Sequence, residues 1–154
     1  SGGAAAAAAS AAAADDDSAV VIPNAVQLAN AVARLEAVGA SVGERLAERY
    51  AREKQRFVSE LDVVKFVCKD FWLEVFKKKM DNLKTNNRGV YVLIDNRHRW
   101  LRRMSAHTDE ARAVLPLYTA FSCGLIRGAL DNLGVRCTVT AEVTELPRAT
   151  FTLK

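Results

Sequence analysis

The stretch FSCGLIRGALDNLGVRCTVTAEV, residues 121–143, predicts a helix that ends at a glycine and is followed by a strand. From 114 to 133 apolar residues recur every three or four positions, which is the period of a core helix. Gly134 stands where a left-handed residue closes a helix. From 135 to 143 apolar and polar residues alternate, as in a half-buried strand. The stretch therefore predicts a buried helix joined directly to a sheet.

Glycines recur within this helix and in the N-terminal third of the chain. Gly124 and Gly128 lie on one face of the predicted core helix, although glycine costs about 1 kcal/mol inside a helix. Their spacing indicates that another backbone lies close. Gly39 and the capping-box serine after it predict a tight corner between two short helices, at 24–39 and 41–53. The glycines to which we assign structural roles are Gly39, Gly43, Gly124, Gly128 and Gly134.

A third helix is predicted between Ser59, a start signal, and about Met80. It carries too many apolar residues for one stripe, so it should be buried on more than one side, in a core or against a second chain. Residues 77–79 are all lysine, and we expect them in its last turn as a solvated helix end.

The remaining segments predict strands arranged in hairpins. Residues 90–94 are apolar on both faces, so both faces of this strand should be covered. Residues 97–104 read as its return strand, and 149–154 as the last strand. Hairpins exclude a parallel, doubly wound sheet. The order of elements predicts an α+β fold in which helices pack on a small four-stranded antiparallel sheet.

Length and composition limit the number of domains and the class of protein. The chain has 154 residues, of which 1–20 read as a disordered tail rich in alanine and aspartate and 21–154 as one domain. The net charge is +4, and without Asp15, Asp16 and Asp17 it becomes +7. Three cysteines without a C-x-x-C pair indicate buried thiols of a reducing compartment. Without an apolar run of about 18 residues, a soluble cytosolic protein is expected.

Catalytic and metal-binding patterns are missing from the sequence. His98 and His107 are the two histidines, and neither has cysteines or carboxylates at metal-ligand spacing. Both are expected on the surface. No glycine-rich phosphate loop lies between a strand and a helix. We therefore expect no enzyme activity, no metal and no cofactor.

The segment 97–103, RHRWLRR, interleaves cations with tryptophan. Such a pattern can bind nucleic acid or an anionic membrane through phosphate contacts and stacking. A hairpin whose tryptophan packs on helices while its arginines face water would have the same sequence pattern. The alternative function is therefore binding of nucleic acid or of an anionic membrane through residues 97–103, whereas the main prediction expects no contact with nucleic acid.

Long segments of the chain closely resemble the subunit 6 family of the transport protein particle, TRAPP. The match runs from about residue 35 to the C-terminus. The segments are LEAVG (35–39), VGERLAER (42–49), ELD (60–62), FVCKDFW (66–72), VFKK (75–78), DNLKTN (81–86), GVYVL (89–93), MSA (104–106), FSCGLIRGAL (121–130), NLG (132–134) and VTAEV (139–143).

The resemblance implies a fold, partners and a location. The fold is that of the Bet three subunit, and the protein is an architectural core subunit of a vesicle tether. It implies a heterodimer with a Bet three-like subunit and contacts with other TRAPP subunits. The assembled complex is implied to act as an exchange factor for a Rab GTPase, in the cytoplasm and peripherally at cis-Golgi and ER–Golgi membranes. The implied interface residues are Leu28, Val32, Leu35, Val42 and Leu46.

One difference from the family pattern concerns lipid modification. The Bet three subunit has an acylated cysteine before its long helix, whereas residues 53–57 here read EKQRF, without cysteine. Cys68 lies further on, inside the predicted helix. Acylation is therefore not expected in this chain.

Overall fold

A computed structural model describes residues 23–154, so the predicted tail at 1–20 and the first two residues of the predicted domain lie outside the described residues. In chain order the elements are α1 (Ala25–Ala51), α2 (Glu60–Phe66), a π-helical turn (Val67–Phe71), α3 (Trp72–Phe76), β1 (Asn82–Thr85), β2 (Tyr91–Asp95), a 3-10 turn (Arg99–Leu101), α4 (Asp109–Ala113), α5 (Leu115–Asn132), β3 (Val139–Glu142) and β4 (Ala149–Leu153).

α1 is one uninterrupted helix, so the predicted corner between two short helices at Gly39 is wrong. The helix begins with a capping box: the Asn24 side chain accepts from the backbone N–H of Gln27, and the Gln27 side chain accepts from that of Asn24. Gly39 and Gly43 lie inside the helix and are buried. The sequence signal of a helix-ending glycine is the same as that of a glycine required by packing, and here packing is the reason.

The third predicted helix begins and is buried as expected, but it ends earlier. Ser59 caps α2 by accepting from the N–H of Asp62, and the helix continues through the π-helical turn into α3. Lys77 adopts a left-handed conformation with φ of 59° and closes α3. The three lysines therefore follow the helix, and the prediction that they form its last turn is wrong. The covering of its crowded apolar surface comes from the chain's own core.

The sheet has the order β1-β2-β4-β3, and every neighbouring pair is antiparallel. The predicted return strand at 97–104 is wrong, because the chain there forms the 3-10 turn and its flanking bends. β1 is the hairpin partner of β2 instead. It escaped prediction because Leu83 is its single large apolar residue and three of its four residues are exposed.

The core lies between one face of the sheet and the helices. Leu93 of β2 and Phe151 of β4 are register partners on that face, and both are completely buried. Val92 and Ile94 point to the opposite face and are half-buried. The expected covering of both faces of β2 is therefore incomplete within residues 23–154.

α5 ends as the glycine signal predicts. Gly134 has φ of 87°, its N–H donates to Asp131, and the N–H of Val135 donates to Leu130 over 2.8 Å. These bonds form the left-handed closure that satisfies the last carbonyls of a helix. The polar segment before α5 contains the short helix α4 with Thr108 as its cap.

Candidate partner interface

The seam between α1 and α5 is built from facing glycines. A Cβ atom on Gly43 would lie 2.8 Å from the Cα of Leu125, and one on Gly128 would lie 2.7 Å from the Cα of Ala40. Gly39 faces Phe121 and Gly124, so both helices advance in the same direction along the seam. The backbone predicted beside Gly124 and Gly128 is therefore that of α1, running parallel to α5.

This seam decides which side of α1 faces outward. Gly39, Gly43 and Ala47 are buried against the rest of the chain, so the opposite side of the helix, which carries Ala33 and Ala37, is exposed. Close contact of two backbones also leaves no side-chain layer that could adapt by changing rotamer. The orientation of α1 is consequently held by main-chain contact.

The five residues predicted as a partner interface fall into two groups. Val42 and Leu46 are half-buried and pack against the core cluster. Leu28, Val32 and Leu35 are half-buried but lie outside that cluster. Val38, which lies one turn after Leu35 and to the side of these residues, is 56% exposed. We call Leu28, Val32, Leu35 and Val38 the α1 stripe.

Exposed aromatic residues lie near the C-terminal end of the α1 stripe. Trp100 is 38% exposed, and its ring centroid lies 5.5 Å from that of Phe121. Because the backbone of Phe121 contacts Gly39, this aromatic pair lies beside α1. Tyr118, one turn earlier on α5, is 42% exposed. The apolar surface therefore extends from α1 across to α5, which is the composition of a protein-binding patch.

A buried polar network, which the sequence did not reveal, lies beneath these aromatic residues. His98 Nδ1 lies 3.3 Å from Asp95 Oδ2, and His98 Nε2 lies 3.1 Å from Ser122 Oγ. With the Asp95 carboxylate accepting at Nδ1, the neutral ring leaves Nε2 to accept from the serine hydroxyl. The order serine, histidine, aspartate is that of a hydrolase triad.

Burial argues against catalysis by this network. The side chains of Asp95, His98 and Ser122 are each 0% exposed, so a substrate has no access to the Ser122 hydroxyl. The prediction that His98 lies on the surface is wrong, whereas His107 is exposed. An aspartate at the end of a buried strand, three residues before a histidine, was the available signal. The network satisfies polar groups inside the core.

Asp95 is the charged group to which the other members of this network are bound. Its carboxylate accepts from Trp72 Nε1 over 3.2 Å and pairs with Lys78, whose Nζ also lies 2.9 Å from Asp81. Burial alone would raise the pKa of Asp95, but hydrogen bonds from His98 and Lys78, together with the charge of Lys78, lower it to about 2. Lys78 is therefore a structural partner of the core and not part of a solvated helix end.

The cysteines show no sign of reactivity. Burial raises the pKa of Cys68 and of Cys123 to about 12, and it also raises that of Cys137, which is half-buried. Thiols of this kind are weak nucleophiles and poor metal ligands at neutral pH. Residues 23–154 contain no group of three histidine, cysteine or acidic side chains placed to hold a metal ion.

The helical stretch Asp109–Asn132 is long and apolar enough to cross a membrane by length and composition. Of its most apolar window, 61% is buried inside the protein. Gly124 and Gly128 are in contact with α1, and Ser122 is bonded to His98. These contacts identify the stretch as a core helix of the fold.

The basic segment lies on the surface as an irregular turn. Arg99, Arg102 and Arg103 are exposed and, with Trp100, line a shallow depression. Within residues 23–154 none of these three guanidinium groups forms an ion pair with a carboxylate. Arg97 is exposed as well but does not line the depression. The segment can therefore present three free positive charges beside an aromatic ring.

Known proteins resemble this chain over most of its length. The sequence profile of the family described as "Transport protein particle (TRAPP) component" matches residues 12–154. Trafficking protein particle complex subunit 6b of Danio rerio is 51% identical over 120 residues, which cover 78% of this chain and 76% of the relative. Subunit 6B of Homo sapiens is 48% identical over 126 residues, covering 82% and 79%. Human subunit 6A is 48% identical over 120 residues, covering 76% and 73%.

A solved structure resembles the fold. The crystal structure of a trafficking protein particle complex subunit 3 from Naegleria fowleri, covalently bound to palmitic acid, superimposes with a TM-score of 0.59 and 18% sequence identity. The match covers 82% of each chain. Likeness at this identity concerns the fold alone. It confirms the predicted α+β fold with helices on a four-stranded antiparallel sheet.

Proposed function

Because the chain belongs to the TRAPP component family, we propose that it is an architectural subunit that binds a Bet three-like subunit through α1. Family membership makes the chain a component of a cytoplasmic vesicle-trafficking complex, in association with other TRAPP subunits. The finer proposal concerns which face of the chain is used and what the chain contributes.

The observation that carries this proposal is the apolar face of the N-terminal half of α1, which is only half-buried. Leu28, Val32 and Leu35 are not in contact with the core cluster, although the helix that bears them is held rigidly by the glycine seam. Full burial of such a side chain stabilises an association by about 1.5–3 kcal/mol. A rigid, amphipathic helix with an incompletely covered apolar stripe supports docking against another subunit without a change in backbone conformation.

At the level of the complex, we propose that the assembly acts as an exchange factor for a Rab GTPase at cis-Golgi and ER–Golgi membranes. The chain itself supplies no catalytic group in this proposal. The catalytic-like constellation around Ser122 is closed to solvent. Its contribution is the placement of neighbouring subunits, which a main-chain seam between α1 and α5 would hold in one orientation.

The test is co-expression of the chain with a Bet three-like subunit, followed by gel filtration. A stable one-to-one complex is expected for the natural sequence. Leu35→Arg should abolish it, because a charge would be buried in an apolar contact. Ala37→Arg, on the exposed far side of the same helix, is the matched control and should leave the complex intact. A chain that elutes as a monomer beside its partner, or two variants that behave alike, would contradict the proposal.

A second candidate function is favoured by the unpaired arginines: binding of an anionic membrane or a nucleic acid through residues 97–103. Retention on acidic vesicles or RNA should then weaken steeply with salt. It should also be lost when Arg99, Arg102 and Arg103 are replaced together. Retention that is unchanged by the replacement would dismiss this candidate.

A further inference from the structure

The outer side of β3 carries main-chain groups that the sheet does not use. At the start of this strand, Thr138 and Lys154 each donate an N–H to the other's carbonyl oxygen, over 2.8 and 3.1 Å. Such pairs alternate with outward-facing ones in an antiparallel ladder, so the N–H and C=O groups of Val139 and Ala141 point away from β4. Within residues 23–154 no other strand pairs with β3. We call this side of β3 the open edge.

The two edges of the sheet differ in how they are protected. Edge strands that remain in water usually carry lysine, proline or a bulge, which discourage pairing with another chain. β1, at the opposite edge, carries Lys84, and three of its four residues are exposed. β3 contains neither lysine nor proline, its register with β4 is regular, and Val139 and Ala141 pack against the core. The open edge is therefore suited to receive another strand.

A cavity of about 340 Å³ adjoins the C-terminal end of the open edge. Its apolar lining is buried or half-buried and consists of Met104, Ala106, Leu115, Val143 and Leu146. Since Val143 directly follows β3, a strand added along the open edge would reach this cavity with an inward side chain. Complexes formed by strand addition take affinity from main-chain hydrogen bonds and specificity from side-chain pockets of this kind.

Glu142 sets a preference for charge along the open edge. Its side chain is exposed and forms no ion pair within residues 23–154. Side chains that face each other on neighbouring strands interact, so a lysine or arginine opposite Glu142 would stabilise the added strand. The cavity itself is lined by both Arg112 and Glu145, whose opposite charges leave it to select by apolar size.

We propose that the open edge binds an extended segment of a partner protein, which adds a fifth strand to the four-stranded sheet. The main chain of the segment bonds to Val139 and Ala141, an apolar side chain enters the cavity, and a basic side chain pairs with Glu142. The open edge shares no residue with the α1 stripe. Binding at this edge therefore does not depend on the proposed pairing through α1.

The experiment selects random linear peptides, displayed on phage, for binding to the full chain. Enriched peptides should alternate apolar and polar residues and contain lysine or arginine. A synthetic peptide of the enriched sequence, in excess, should slow hydrogen exchange at the N–H groups of Val139 and Ala141 by about tenfold or more. Selection on a Glu142→Lys chain should enrich acidic residues in place of the basic ones.

Ala141→Pro is the decisive variant. It removes an outward N–H and no bond of the β3–β4 ladder, so the chain should fold and lose the peptide. Thr85→Pro is the matched control on the other edge: Asn86 donates to Val90, so Thr85 faces away from β2, and this variant should keep the peptide. Ser105→Trp, which fills the cavity from an exposed position, should also weaken binding.

Three outcomes would overturn the proposal. The first is a selection that enriches no peptide on the natural chain. The second is equal binding of the enriched peptide to the natural chain, to Ala141→Pro and to Ser105→Trp. The third is a natural chain that sediments as a dimer and becomes a monomer with Ala141→Pro, because the occupant of the open edge would then be a second copy of this chain.

Discussion

The carbonyl group of Ala40 on α1 lies directly over Gly128 on α5. A Cβ atom on Gly128 would stand 2.7 Å from the carbonyl carbon of Ala40 and closer still to its oxygen. The two helices therefore touch backbone to backbone at this point. Glycine is tolerated inside both helices because any larger residue would force them apart.

Gly128→Ala should destabilise the chain by at least about 2 kcal/mol, the cost of overpacking against a backbone that has no rotamer to change. In an exposed helix the same change would stabilise by about 1 kcal/mol, so packing reverses the sign. Urea denaturation gives the free energy of unfolding. Gly134→Ala is the control: its surroundings are open, and it should lose only about 1–2 kcal/mol through its left-handed φ. A Gly128→Ala chain as stable as the natural one would contradict the backbone contact between α1 and α5.

Truncations along α1 should separate folding from binding. Leu46→Ala should lower the free energy of unfolding of the isolated chain by about 1–2 kcal/mol, because Leu46 is half-buried against the core. Leu28→Ala should lower it by less than about 0.5 kcal/mol yet weaken capture of the Bet three-like subunit. Chemical denaturation and a pull-down measure the two effects. Equal losses of stability in both variants would show that the α1 stripe is part of the core.

Stability should fall in acid as Asp95 takes up a proton. The pKa of Asp95 is lowered from 3.8 to about 2 in the folded chain. Its contribution is therefore complete above about pH 4 and is lost as the pH falls toward 2. A shift of this size corresponds to roughly 2 kcal/mol. In denaturation experiments from pH 5 down to pH 2, the Asp95→Asn chain should be less stable than the natural chain at pH 5. It should also lose less stability as the pH falls. Parallel curves for the two chains would refute the assignment.

Ser122 should behave as a structural residue. Ser122→Ala leaves His98 Nε2 buried without its partner, which should cost about 1–3 kcal/mol of folding stability. A fluorophosphonate probe should not label Ser122 in the folded chain, because its side chain is 0% exposed. Denaturation and mass spectrometry check the two statements. Labelling of Ser122 in the natural chain, absent after His98→Phe, would indicate an accessible catalytic site instead.

Local patterns were most informative where one element could be recognised by itself. The period of the core helix, the left-handed glycine at 134 and the alternation of β4 are encoded within a few residues each, and the structure has all three. Lys78 and His98 were misplaced for a shared reason. Their surroundings are decided by Asp95, which is distant from Lys78 in sequence and becomes its neighbour only through folding.

The amino-acid sequence by itself determined the class of fold, the family and the buried character of α5, because these depend on periodicity and on long matching segments. Tertiary structure alone decided that Gly39 continues a helix, that Asp95, His98 and Ser122 meet in the core, and that the α1 stripe is only partly covered. Each of these depends on which distant backbone or side chain arrives beside a residue. The local sequence around a glycine that ends a helix can be the same as that around a glycine that lets another helix approach. Only packing in the folded chain distinguishes the two.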